Sequence, residues 1–299
     1  MKTFKHFITE GAIDKLFAFS QDLSMALKNA KVEIKKSIVN FTEDPNNHIS
    51  GKFEQLKHDI EFSLKDEIKP LIGKYKFDSY INDIIFVFNN TPSGAHFDSN
   101  SKAIVVFLKN VEKLDLDNQN SHYEYNRIYS NIIHEMIHAF SIKLLNKNKN
   151  YLKPSPASTS IQTATNYVEY ALQTIEFEAQ IVGYAFLFAK YFNTTEKMLR
   201  YFDDIKKIAI EFSNDRDFQR EGYIDIEQIT TRISQLTREY NLREMAPGYI
   251  YAICVLLSKR KSEPYTRPLE RVLNWIKKLI SYHKKIKIFE REANRRSNI

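Results

Sequence analysis

Cysteine occurs once in the 299-residue chain, at Cys254, so no intramolecular disulfide can form and nothing depends on an oxidising compartment. Glycine and proline are scarce, at 7 and 8, which leaves few chain breakers and favours short loops between helices. No apolar run approaches 18 residues, which excludes a transmembrane helix in the sequence reading. The first residues carry lysine but no apolar stretch of secretory type, so export by a signal peptide is not expected. What is abundant is aromatic: 17 Tyr and 21 Phe in a chain with 43% hydrophobic and 27% charged residues. That balance belongs to a folded chain with a sizeable core.

Charge is placed unevenly. The net charge is +7, yet residues 259–299 hold 13 Lys/Arg against 4 Glu, and the preceding 258 residues carry 31 basic against 33 acidic groups. A near-neutral body with a basic end points to a polyanion such as DNA, the alternative being the solvated face of an amphipathic helix.

Hydrophobic periodicity divides the chain. Helical spacing covers 11–40, and a second helix is expected from about 53 to Pro70. Then the period shortens: "DIIFVF" (83–88) and "KAIVVFL" (102–108) read as strands, with "GAHFD" a further short strand in the turn-rich stretch between them. Helical spacing returns from about 123 to Asn146, a polar Pro/Ser-rich loop follows to 160, and one long helix is expected over 161–192. Helices at about 195–213, 225–240, 247–260 and 266–296 complete an α+β, predominantly helical chain with one small sheet.

Within the helix after the sheet lies "NIIHEMIHAF" (131–140). Residues four apart share a helix face, so His134 and His138 can present two imidazoles to one ion. Zn²⁺ accepts neutral imidazole nitrogen and prefers four ligands, and Glu135 stands where a carboxylate can take a proton from a bound water. The alternative is a pair of surface or capping histidines. A third ligand must come from elsewhere, because Ser141 and Leu144 occupy the positions where the extended motif has Gly and His. On the 161–192 helix, Glu178 shares its face with Ala171, Thr174, Ile175, Ile181, Val182, Ala185 and Ala189. A carboxylate in that apolar stripe needs a metal, a proton or a partner, the alternative being an ion pair with a core Arg or Lys. Glu176 shares its face with Glu169, Gln173 and Gln180 and is expected to be solvated.

His134-Glu135-x-x-His138, followed some 40 residues later by Glu178-Ala179 on the next long helix, resembles the gluzincin metallopeptidases, in particular small HExxH peptidases of phage and bacterial origin. The resemblance covers about 100–190. It implies a zincin-like core, one Zn²⁺ per chain held by His134, His138 and Glu178, Glu135 as general base in peptide-bond hydrolysis, and an edge strand that receives a protein or peptide substrate. No motif marks the oxyanion stabiliser; Tyr167 and Tyr170 are the candidates nearest in sequence. "MKTFKHFITEGA" places Phe4, Phe7 and Ile8 on one side of a turn, and it resembles the capsid-targeting leader of internal head proteins of large contractile-tailed bacteriophages. Those leaders are removed by a prohead protease after Leu/Ile-x-Glu, which Ile8-Thr9-Glu10 matches, making Glu10 and Gly11 a candidate processing site. The alternative is an ordinary helix start.

These readings divide the chain into a leader (1–10), N-terminal helices (11–75), a metallopeptidase core (76–194) and a helical region with a basic tail helix (195–299). They place it in the host cytoplasm and in the virion interior, without a membrane partner. In the tail helix Leu269, Leu273, Ile276, Ile280 and Ile286 are expected on the buried side, and Lys284, Lys285, Arg295 and Arg296 are the candidate DNA contacts. Two rival functions remain: a DNA-associated internal head protein with an idle zinc fold, and an interaction protein without metal.

Overall fold

The computed structural model describes residues 14–23, 25–27, 60–88, 94–108, 119–141, 161–172, 174–215, 225–259 and 266–297. The chain forms two compact units, Met1–Lys147 and Asn148–Ile299, with the division inside the segment 76–194 that the sequence reading takes as one core. The leader, including Glu10 and Gly11, and the loop 146–160 lie outside the described residues.

The first unit combines helices with a four-stranded sheet. Helix α1 covers 14–23 and 25–27, followed by β1 (Ile60–Ser63), α2 (Lys65–Tyr75), β2 (Asp83–Phe88), β3 (Gly94–Asp98), β4 (Ala103–Leu108) and α3 (Gln119–Phe140). The strand order is β1-β2-β4-β3. Strand β2 runs parallel to β4 with Ile84 opposite Ile104, while β1 and β3 are antiparallel edges. Alternation puts Ile84, Phe86, Ile104, Val106 and the other even-numbered residues of β2 and β4 on one face, and these four are buried. Helix α2 packs against β2, and α3 against β3 and β4.

Strand β1 corrects the sequence reading, which has a helix from 53 to Pro70. "IEFS" alternates apolar and polar residues, and the free edge of β2 accepts it, with Ile60 opposite Phe88 and Phe62 opposite Phe86. The helix begins only at Lys65 and keeps Pro70 in its interior. It ends at Lys76, whose left-handed backbone (φ 62°) lets its N–H reach the Gly73 carbonyl. The expected strands 83–88 and 102–108 and the short strand "GAHFD" are all present, the second starting at Ala103.

Helix α3 is fixed at both ends of its buried stretch. The Tyr129 hydroxyl donates to the Ser20 carbonyl of α1. At the other end Phe140 meets the rings of Phe77 and Tyr80, each with centroids 5.0 Å away, and Phe77 packs on Phe19 of α1. Asp22 of α1 accepts from Lys74 at 2.6 Å and Tyr75 at 2.9 Å, tying α1 to the end of α2.

The second unit is helical throughout its described part: α4 (Ile161–Ala171), α5 (Thr174–Tyr191), α6 (Thr195–Ser213), α7 (Ile226–Glu239), α8 (Ala246–Ser258) and α9 (Thr266–Ser297). From α6 onward these ends lie within two residues of the sequence reading, because capping chemistry is explicit. Thr194 accepts from Lys197 N at 3.2 Å and Asp225 from Gln228 N at 2.8 Å. The expected single helix over 161–192 is instead two. Helix α4 ends at Ala171, α5 restarts at Thr174, and the Leu172 carbonyl accepts from the Arg271 guanidinium of α9.

Helix α8 is buried from Pro247 to Leu257 and packs on α6 and α9. It approaches α6 closely at Gly248, where an added Cβ would stand 2.5 Å from Tyr201 Oη and 3.0 Å from Ile205 Cδ1. Tyr201 is fully buried and its hydroxyl lies 3.2 Å from Thr237 Oγ1, so the ring cannot withdraw. Gly248→Ala should therefore destabilise the fold by about 1–2 kcal/mol, the overpacking outweighing the roughly 1 kcal/mol that alanine gains over glycine in a helix. Tyr201→Phe removes the clashing oxygen, so in urea titrations the double variant should lose less than the two single variants added together. Simple additivity would show that this contact does not limit packing.

Candidate metal centre

From Asn126 to Phe140, the part of α3 whose side chains are described, most residues are buried. Ile132, Ile133, Met136, Ile137 and Ala139 are closed to solvent, and the stripe through Arg127, Asn131 and His134 is the half-open side. The sequence "HEMIH" thus puts its two apolar members into the core and its polar members on or beside that stripe. His134 Nε2 and His138 Nε2 lie 3.0 Å apart, with ring planes at 75°. Glu135 Oε1 is 4.0 Å from His134 Nε2. Among the described residues, His134, Glu135 and His138 are the group whose potential ligand atoms fall within 4.8 Å of one another.

These residues fit a zinc ion in donor type and spacing. Two imidazole nitrogens on one tetrahedral ion, each about 2.0–2.1 Å from it, stand about 3.3 Å apart, close to the separation found. Neutral imidazole is the form of histidine that ligates a metal. The group could hold a metal ion, as the motif implies.

The second oxygen of Glu135 is held by the sheet. Phe97 N of β3 donates to Glu135 Oε2 at 3.0 Å. An amide bonded to the helix is turned away from β4, so in the antiparallel ladder Phe97 and Ala95 direct their N–H and C=O groups to the open edge. Phe97 N–H is thus a positioning donor that the sequence reading does not contain. Its only signal there is the short strand "GAHFD" preceding the motif, because any residue supplies a backbone amide.

The remaining candidates lie in the second unit. Glu178 is paired with Lys278 of α9, with side chains 16% and 21% exposed. Glu176, expected to be solvated, is buried at 2% exposure. The reason is that α5 is covered nearly all round: residues 179–183 and 185–189, Tyr184 excepted, are buried whatever their phase. Phase alone therefore does not separate the two carboxylates. Tyr167 and Tyr170 are buried and stacked with centroids 6.5 Å apart, and Tyr167 also meets Tyr249 at 6.1 Å. Burial, reinforced by the charges of Glu244 and Glu176, pushes the Tyr167 hydroxyl well above the usual tyrosine range, while a hydrogen bond from Tyr184 works against this.

No protein-family model, curated protein or solved structure matches the chain. No helix among the described residues is long and apolar enough to cross a membrane.

The two carboxylates on α9's lysines test how much the ion pairs stabilise. Lys278→Met leaves Glu178 largely enclosed without that partner and should cost about 1–3 kcal/mol, between the exposed and fully buried limits. Lys190→Met should cost less than about 1 kcal/mol, because Lys190 is half-exposed and Glu290 keeps Lys287 at 3.0 Å. Urea unfolding of both variants checks the order.

Proposed function

We propose that the protein is a zinc-dependent metallopeptidase of gluzincin type. The observation that carries this is the convergence of His134 Nε2 and His138 Nε2 to 3.0 Å beside the Glu135 carboxylate on one face of α3. His134 and His138 would hold the ion, with Glu178 as the third ligand by its likeness to the Glu-Ala pair of such enzymes. Bound zinc supplies a Lewis acid for the scissile carbonyl and lowers the pKa of a coordinated water to about 7.

The chain's own residues do the rest. Glu135 Oε2 is occupied by Phe97 N–H, which leaves Oε1, on the His134 side, to take the proton of the attacking water and pass it to the leaving amine. Holding the carboxylate by one oxygen fixes the other without cost at the moment of reaction. A peptide substrate in extended form would lie against the outer edge of β3, where, among the described residues, the Ala95 N–H and C=O and the Phe97 C=O remain for main-chain pairing. Tyr167 and Tyr170 are the candidate oxyanion donors by nearness in sequence alone, since no motif marks that group.

Purified protein should carry about one Zn²⁺ per chain by elemental analysis, and His134→Ala and His138→Ala should each abolish it. Glu135→Gln should retain the metal while hydrolysis of an unfolded protein substrate falls by about 10²–10⁴-fold, the usual worth of a general base. Full zinc occupancy in both histidine variants would end this reading. Glu178→Gln should weaken zinc binding markedly and Glu176→Gln should not; the reverse would assign the ligand to Glu176, the more deeply buried carboxylate.

The N-terminal likeness supports a further part of the proposal: packaging in a phage head and delivery into the host cytoplasm after a prohead protease has cut between Glu10 and Gly11. Protein from mature virions should then begin at Gly11, and protein made alone in a heterologous host at Met1. Mass spectrometry of virions showing an intact leader would remove the packaging proposal and leave the zinc proposal standing.

A further inference from the structure

Helix α9 sorts its cations into two groups. Val272, Trp275, Ile276, Leu279, His283 and Ile286 form its buried side, which differs from the expected one: Leu273 is exposed at 40%, and Leu269 and Ile280 are only half-buried. Next to this side, Lys278 is drawn to Glu178 and Lys287 to Glu290, which Lys190 of α5 also binds at 2.8 Å. These lysines serve the fold. Lys285, a sequence candidate for polyanion binding, is half-buried, and the side chain of Arg296 lies outside the described ones.

What faces outward is Lys277, Ser281, Lys284, Ile288, Arg291 and Arg295, all exposed and spaced alternately by four and three residues. That spacing keeps them on one line along the helix. At 1.5 Å per residue, Lys277 and Lys284 are about 10.5 Å apart, Lys284 and Arg291 the same, and Arg295 a further 6 Å along, so four cations span about 27 Å. No ion pair engages any of the four among the described residues. Exposed carboxylates beside the line are Glu292, one position off it, Glu270, which lies on the same line seven residues before Lys277, and Glu196 of α6, which lies in the field of Lys284.

From this line of cations we propose that the outer face of α9 binds the phosphate backbone of duplex nucleic acid, through Lys277, Lys284, Arg291 and Arg295, without reading its sequence. A straight row of long cationic side chains suits a regular row of phosphates, and contacts to phosphates carry no sequence information. Two other polyanions fit less well. A single strand is bound by stacking its bases on aromatic rings, and no member of the line is aromatic. A lipid surface would take the apolar face of an amphipathic helix, but that face of α9 is spent on α5 and α8. The proposal is independent of the zinc reading.

The test is fluorescence anisotropy of the full-length protein with mixed-sequence duplex DNA of 30 base pairs, between 50 and 300 mM NaCl. Four phosphate contacts predict a slope of log K against log salt of about −3.6, equal for unrelated sequences. Changing Lys277, Lys284, Arg291 and Arg295 together to Gln should bring the slope close to zero with the circular dichroism unchanged. Lys207→Gln, which removes an exposed cation already paired with Asp204 at 2.7 Å, should leave it as in the wild type. Should the fourfold variant unfold, the four single variants decide, each lowering the slope by about 0.9. The proposal is overturned by absence of binding at 50 mM salt, by an unaltered slope in the variants, by an equal loss in Lys207→Gln, or by tighter binding to single strands or to phosphatidylserine vesicles. Chelated protein should bind the duplex as well as untreated protein does, so loss of zinc and loss of this contact are separate results.

Discussion

The hydrogen bond from Phe97 N–H to Glu135 Oε2 joins the two parts of the first unit that frame the candidate metal group. One partner is the edge of a small sheet and the other is the middle of a buried helix. A carboxylate at 5% exposure needs such a donor, because an ionised oxygen enclosed without one is costly. The same bond sets which oxygen faces the histidines. Other contacts anchor α3 away from the sheet: Tyr129 on the Ser20 carbonyl and Phe140 among Phe77 and Tyr80, while Asp22 draws α1 and α2 together. The aromatic wealth of the chain acts here as a clamp two residues beyond His138.

How far the sequence could be read depended on the range of the forces involved. His134 and His138 are four residues apart on one helix, so their meeting is a local fact, and the structure brings their nitrogens together. The strands at 83–88 and 103–108 are mostly β-branched and aromatic, nine of their twelve residues being Ile, Val or Phe, which favours strand over helix. Helices α6 and α7 announce their starts by side-chain caps, and α8 by proline. Strand β1 did not, since four residues of "IEFS" acquire their meaning only from the edge of β2.

The carboxylates of α5 show a different limit. Part of their surroundings comes from α9, about a hundred residues later in the chain: Lys278 pairs with Glu178, and Arg271 donates to the Leu172 carbonyl where the expected long helix breaks. A face argument assumes that one side of a helix meets solvent, and α5 has almost no such side. Glu176 reads as solvated beside Gln173 and Gln180, yet it is among the most enclosed acids of the chain, and Gln180 is buried with it. On α9 the same reasoning erred by one position, exposing Leu273 in place of Val272, because Trp275 and His283 also claim the inner side.

Strand β3 has a consequence for how the first unit fluctuates. Amides on the outer rim of a sheet usually trade their protons with water quickly, since no neighbour covers them. Phe97 is on such a rim, but its proton is held by a carboxylate rooted in the core helix. It can exchange only when β3 and α3 part, whereas the Ala95 amide, on the same rim, has no such restraint from Glu135. The difference in deuterium uptake between these two residues therefore clocks the opening of the His134–Glu135–His138 group itself.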